Sequence, residues 1–420
     1  MAAAPEARGV ARYRELFANQ YAASLLTWSI VARLPTGMAG LALVLLVRGE
    51  GASYGEAGLV AAAYGIAVAI GAPYGGRQVD RRGARRVLRR RMVIFPSLFA
   101  VVAVLGAVEA PIPAIAVAVA GAGLTMPPVS SALRSIWPTV AGEDGARTAY
   151  ALDAALQEVI FVGGPLLVAV LATVAPVAPV VGAAILAAGG TYAFSRLPPV
   201  VDAGPAEERH TSRLGALSAV GVRTIGLLSL FLGLGFGSVE IAVPAFAEVQ
   251  GNRALAGVAL AGFSAGSLVG GLLAGLRPSS DERRRIILGT FLLAALMALP
   301  LAATSVWTMA MLLFCAGIPI APVVAALYGQ IGRVAAAGSV AEAFSWFGTS
   351  VSIGIAGGSV GGGAVIDGHG WRAAVALGIA FLGIGAVVTT FRRSTLAPPV
   401  AVAASSASRN PTSSSTTPVD

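Results

Sequence analysis

Apolar residues occupy this chain in long blocks separated by short polar breaks. Twelve blocks fall at 17–47, 54–75, 89–108, 112–137, 149–173, 177–195, 222–247, 254–276, 286–303, 306–332, 341–366 and 371–391. A helix needs about 20 mostly apolar residues to cross the hydrocarbon of a bilayer, so each block is read as one crossing. The blocks are apolar on all faces instead of along one stripe, which suits lipid and leaves no wetted face for a soluble fold. The first block exceeds the need of a single crossing. Pro35 and Gly37 inside it predict a kink or tilt, not a split.

Composition agrees. Hydrophobic residues make up 56% of the 420 positions and charged ones 12%, about half the charge of an ordinary soluble domain. All 29 basic residues are arginine. With the N-terminus placed inside, 24 arginines fall on the cytoplasmic side, eight of them between Arg77 and Arg91, and three (Arg48, Arg253 and Arg372) fall outside. Arginine retained in cytoplasmic loops sets orientation, so both termini are expected in the cytoplasm and the membrane is expected to be the plasma membrane. The pattern fails if one span is dropped. It also accounts for the net charge of +9 without a nucleic-acid partner.

Arg8, Arg12 and Arg14 precede the first block as in a signal peptide. That block is too long for a signal h-region and has no small-residue cleavage site, so it is read as a span. Cys315 is the single cysteine, which rules out an internal disulfide. His210 and His369 fall in predicted loops, and no metal-ligand cluster or cofactor motif is present. The expected organisation is a cytoplasmic tail over 1–14, a six-helix half over 15–196, a Pro-rich cytoplasmic loop over 197–220, a second six-helix half over 221–393 and a disordered cytoplasmic tail over 394–420.

The halves superpose in sequence. At an offset of 199, Ala57-Gly58 meets Ala256-Gly257, Gly71 meets Gly270, and Arg85-Arg86 meets Arg284-Arg285. At an offset of 194, Ala122-Gly123 meets Ala316-Gly317, Pro128-Val129 meets Pro322-Val323, and Gly163-Gly164 meets Gly357-Gly358. A six-plus-six parallel repeat is a transporter architecture with substrate bound between the halves.

The turn after the second span reads GGRQVDRRGARRVLRRR. Gly76, Asp80, Arg81, Gly83 and Arg85 in it resemble the signature of the major facilitator superfamily. Together with the span count, the topology and the repeat, the resemblance covers about residues 15–393. It implies an all-α integral membrane fold of twelve helices in two pseudo-symmetric bundles, working as a secondary transporter and not an enzyme. It also implies that Asp80 latches onto the opposite half on the cytoplasmic side. The expected target is the start of the eleventh span, where Ser339-Val-Ala-Glu342 has the form of a capping box and Glu342 competes for the same helix end. The alternative is that the turn supplies topogenic arginines only. The chain departs from the family's drug–proton antiporters in carrying Arg33, not an acid, in the first span, and in keeping only Gly163-Gly164-Pro165 of their helix-5 glycine pattern.

Ionisable residues inside spans are costly and mark function. Arg33 and Glu158 lie at matching depth. Arg33 either binds an anionic group on a substrate or pairs with Glu158. Arg134 is expected to pair with Asp153 or with Asp80, as a gate or a structural bridge. Glu240, in LGLGFGSVEIAVPAF, has no basic residue of the second half at its depth, which makes it the candidate proton carrier or a packing residue. Trp28, Tyr64, Phe236, Tyr328 and Trp346 are candidate aromatic contacts for an apolar substrate. The expected function is export of a drug-like small molecule driven by protons, by a monomer in the lipid bilayer. Metabolite or organic-anion uptake is the alternative, and a membrane-embedded enzyme or receptor the reading from another class.

Overall fold

The computed structural model describes residues 5–49, 54–206, 212, 214–251, 255–276 and 281–397. The helices are α1 Pro5–Ala18, α2 Ala22–Gly49, α3 Tyr54–Arg82, α4 Ala84–Ala107, α5 Ile112–Thr125, α6 Val129–Ala172, α7 Ala178–Arg196, α8 Pro198–Asp202, α9 Val220–Val249, α10 Ala256–Leu276, α11 Glu282–Leu296, α12 Val306–Gly317, α13 Ile320–Val334, α14 Val340–His369 and α15 Trp371–Phe391.

Among the described residues, eleven helical stretches are long and apolar enough to cross a bilayer, and one of them, 112–172, runs for 61 residues. At about 1.5 Å per residue that is roughly 90 Å of helix, three times the hydrocarbon thickness. The stretch reverses at Gly142, whose φ of 68° and ψ of 176° are not helical. It therefore contains two crossings, and the total is twelve. The fourth crossing is α5 continued by the start of α6 across Met126-Pro127-Pro128, and the tenth is α12 continued by α13 across Pro319. Proline at both breaks removes a backbone donor.

The first block forms one span, α2, unsplit through Pro35 as expected, but residues 17 and 18 belong to α1. The two helices part at Asn19, whose side-chain oxygen accepts from Tyr21 N–H at 2.9 Å and whose Nδ2 donates to the Val140 carbonyl at 3.0 Å. A local side-chain bond of this kind competes with the helix ladder. The segment over 197–220 contains the short helix α8 and a 3₁₀ turn at Gly215–Ser218. Of the expected disordered tail, residues 394–397 are ordered: Leu396 is buried and its carbonyl accepts from Gln330 Nε2 at 2.5 Å. The remainder, 398–420, lies outside the described residues.

Packing follows the repeat. Within the first half, α2 packs on α6 and α7, and within the second, α9 packs on α14 and α15. Between halves, α3 runs against α14 and α6 against α10. The backbones of α2 and α6 touch at Gly37 and Gly164, and those of α9 and α14 at Gly233 and Gly354. Small residues let membrane helices approach this closely, where dispersion replaces the missing hydrophobic effect.

Candidate functional site

The halves are tied together at the end of the bundle that carries the arginine-rich turns, called here the basic end. The first turn of any helix leaves backbone N–H groups without partners. At α14 these are met by a carboxylate from the other half: Asp80 Oδ1 accepts from Ala341 N–H and Oδ2 from Glu342 N–H, each at 2.9 Å. The expected capping box at Ser339 does not form, because the Ser339 hydroxyl donates to the Ala336 carbonyl at 2.9 Å. Glu342 does not compete with Asp80 either. It turns to Arg77, which donates from Nε at 2.9 Å and Nη2 at 2.7 Å in a two-pronged ion pair. Gly76 permits the approach, since a Cβ there would lie 2.5 Å from the Ala341 carbonyl oxygen. Gly83 ends the turn at φ +80°, a conformation that favours glycine. Arg81 is exposed on this surface.

A second tie repeats the first across the pseudo-twofold and was not foreseen from the sequence. Glu282, the first residue of α11, forms ion pairs with Arg333 of its own half, at 2.6 Å, and with Arg147 of the first half, at 3.1 Å. A third comes from α1, where the Tyr13 hydroxyl donates to the Leu272 carbonyl at 2.9 Å. Burial pushes the Tyr13 hydroxyl up to about 12, so it remains a donor at neutral pH. Tyr150 of α6 meets Tyr328 and Phe344 edge-on or tilted, with centroids 6.2 and 6.0 Å away.

Deeper in the bundle, Asp153 is fully buried between two arginines, at 2.5 Å from Arg33 Nη1 and 2.7 Å from Arg134 Nε. Arg33 also donates to Gln157. The expected Arg33–Glu158 pair is therefore corrected to Arg33–Asp153, and of the two partners weighed for Arg134 it is Asp153 and not Asp80. Asp153 and Gln157 stand four residues apart and share one helix face. Glu158 is one residue further, about 100° around the axis, and points elsewhere. The Arg134 guanidinium lies 3.9 Å from the centre of the Tyr328 ring, a favourable contact for a desolvated cation.

Glu158 faces Ser264 and Ser267 on α10 of the second half. Glu240 on α9 is near enough to Glu158 for the two charges to act on each other. Its side chain is exposed in the middle of a span, and no basic group pairs with it among the described residues. Of the aromatic candidates, Tyr64 is buried against Phe99, Phe236 stacks edge-on with Phe263, Trp346 donates to Glu342 at 3.4 Å, and Trp28 is exposed.

The sequence profile described as Major Facilitator Superfamily matches residues 25–276 and 225–416. The chain belongs to the major facilitator superfamily. Among solved structures, a bacterial homologue of the iron transporter ferroportin in its outward-facing state is similar over 89% of this chain and 99% of its own, with a TM-score of 0.70 at 13% identity. The same homologue soaked with iron gives a TM-score of 0.68 at 13% identity, over 88% of this chain and 98% of its own. The human organic anion transporter MFSD10 gives a TM-score of 0.64 at 16% identity, over 92% of this chain and 100% of its own. No curated protein sequence matches. As a major facilitator protein the chain is a membrane transporter of small molecules and not an enzyme.

Proposed function

We propose that the chain is a proton-coupled exporter of an organic small molecule, working as a monomer in the plasma membrane with its basic end in the cytoplasm. The observation that carries this reading is that Glu158 and Glu240 place one carboxyl in a span of each half, on α6 and α9, with no ion-pair partner for either among the described residues. Carboxyl groups placed in spans without a counter-charge relieve that cost by taking up a proton or a cation. Because the two carboxyls belong to different halves, rocking changes their separation, and uptake is linked to the transport step. The ties at the basic end support an assignment of this conformation as outward-facing.

Organic-anion uptake is less favoured. Arg33, the cation an anion carrier would use, is engaged by Asp153 and Gln157. The cargoes named for the similar structures, iron and organic anions, differ from each other and do not choose between readings.

The test uses proteoliposomes loaded with a pH-sensitive dye and offered ethidium as the probe cation. An imposed proton gradient is expected to drive ethidium against its concentration gradient, with proton movement in the opposite direction. Glu240→Gln is expected to leave downhill exchange and abolish the response to the gradient. Intact gradient-driven accumulation in Glu240→Gln removes the coupling assignment.

A further inference from the structure

Beside the Asp80 latch, on the outer side of the turn between α3 and α4, lies an open pocket of about 450 Å³. It is lined by Arg82, Arg85, Arg86 and Arg89 together with the backbone of Ala203, Gly204 and Pro205. Four arginines line it, and among the described residues the lining contains no carboxylate. Arg85 Nε is buried without a hydrogen-bond partner, and an orphaned donor in a charged group is costly until an acceptor reaches it. The first turn of α4 adds to the positive field, since it carries neither an acidic residue nor a side-chain cap.

The other half shows what this place ordinarily holds. At the offset of 199 that pairs Arg85-Arg86 with Arg284-Arg285, Asp281 falls on Arg82. Asp281 caps α11, accepting from Arg284 N–H at 3.0 Å. The second half thus supplies an anion from its own chain at the helix start, and the first half places a cation in the same position. The walls of the pocket are held in place. Gly83 packs against Ala203, Gly204 and Pro205, and Ala206 N–H donates to the Asp80 carbonyl at 2.8 Å.

We infer that this arginine pocket binds the phosphate of an anionic phospholipid headgroup. Guanidinium forks match phosphate oxygens, and the α3–α4 turn lies at the end of two spans, at headgroup depth. The lipid assignment rests on what continues from the pocket. Beyond Arg86 and Arg89, the same exposed face of α4 runs through Val93, Val101 and Val104, an apolar track on which acyl chains lie.

The experiment titrates purified full-length protein in detergent with phosphatidylglycerol, phosphatidylcholine or inorganic phosphate and follows thermal unfolding. Phosphatidylglycerol is expected to give a saturable rise in Tm beyond that from phosphatidylcholine. Arg85→Gln/Arg89→Gln is expected to need at least about tenfold more of it, while Arg12→Gln/Arg14→Gln, with the same charge change on exposed α1, titrates as the parent does. Native mass spectrometry reads the same loss as fewer retained phosphatidylglycerol molecules, whatever the intrinsic stability of the variant. Equal titrations in the parent and the pocket variant overturn the inference, as does a full rise with inorganic phosphate alone. A rise that emerges only after Glu207 and Glu208 are changed to Gln overturns it too, because the chain's own carboxylates then fill the pocket.

Discussion

Asp80 caps the helix that carries Glu342 in its first turn, in the opposite half of the molecule. Both of its oxygens are taken by that helix's first N–H groups, while the carboxylate of Glu342 itself is held by Arg77. Closure at the basic end is thus a helix cap and an ion pair formed between the two halves.

Asp80→Asn keeps the shape but offers one acceptor and one misdirected donor. Loss of a cap costs about 1–2 kcal/mol, which moves a two-state ratio by roughly 5–30-fold. The shift is expected toward the state open at the basic end. A thiol placed at Ser345, buried beneath Gly76, reports it in a Cys315→Ala background, because Cys315 is exposed. Maleimide labelling in detergent is expected to quicken in Asp80→Asn. Glu282→Gln is expected to quicken it independently, with the two effects additive to within about 0.5 kcal/mol. Labelling unchanged by either substitution shows that neither tie holds the gate.

Asp153→Asn leaves Arg33 and Arg134 buried without their counter-charge. Breaking a buried pair by removing one partner costs about 3–5 kcal/mol, so a large fall in Tm is expected. Gln157→Leu removes one hydrogen bond to Arg33 and is expected to cost about 1–3 kcal/mol. Equal losses for the two variants would mean that the carboxylate charge at Asp153 is not what stabilises the pair of arginines.

Helix α1 tests the third tie. Tyr13→Phe removes one hydrogen bond, worth about 0.5–1.5 kcal/mol. Gly275→Ala places a methyl where the Tyr13 hydroxyl sits and displaces the whole ring. Hydrogen exchange in α1 is expected to rise modestly in the first variant and strongly in the second. In a Tyr13→Ala background the Gly275 substitution is expected to add nothing further.

The spans and the repeat were legible because lipid contact and helix length leave long-period signals in the chain. Asp80 as a trans-acting group was legible because an acid has no topogenic purpose among arginines. What depth alone could not supply was direction around a helix axis. Arg33 and Glu158 match in depth, yet Asp153 and Gln157 occupy the face that meets α2. Ser339 carried the local pattern of a cap, but the local pattern does not reveal a stronger acceptor arriving from 261 residues away. The Arg147–Glu282 pair joins two halves and has no local trace. Its only sequence signal was the repeat itself, which sets the turn after α10 against the start of a descending helix just as it sets the turn after α3.

The cap borrowed by α14 has a kinetic consequence. A transport cycle must break this contact once and remake it once, so its strength enters the barriers in both directions. A stronger contact would hold the carrier in one conformation and slow turnover, and a weaker one would let it flicker without cargo. Two hydrogen bonds of ordinary length to one carboxylate, exchangeable for water if the halves part, would give such a gate an adjustable timer.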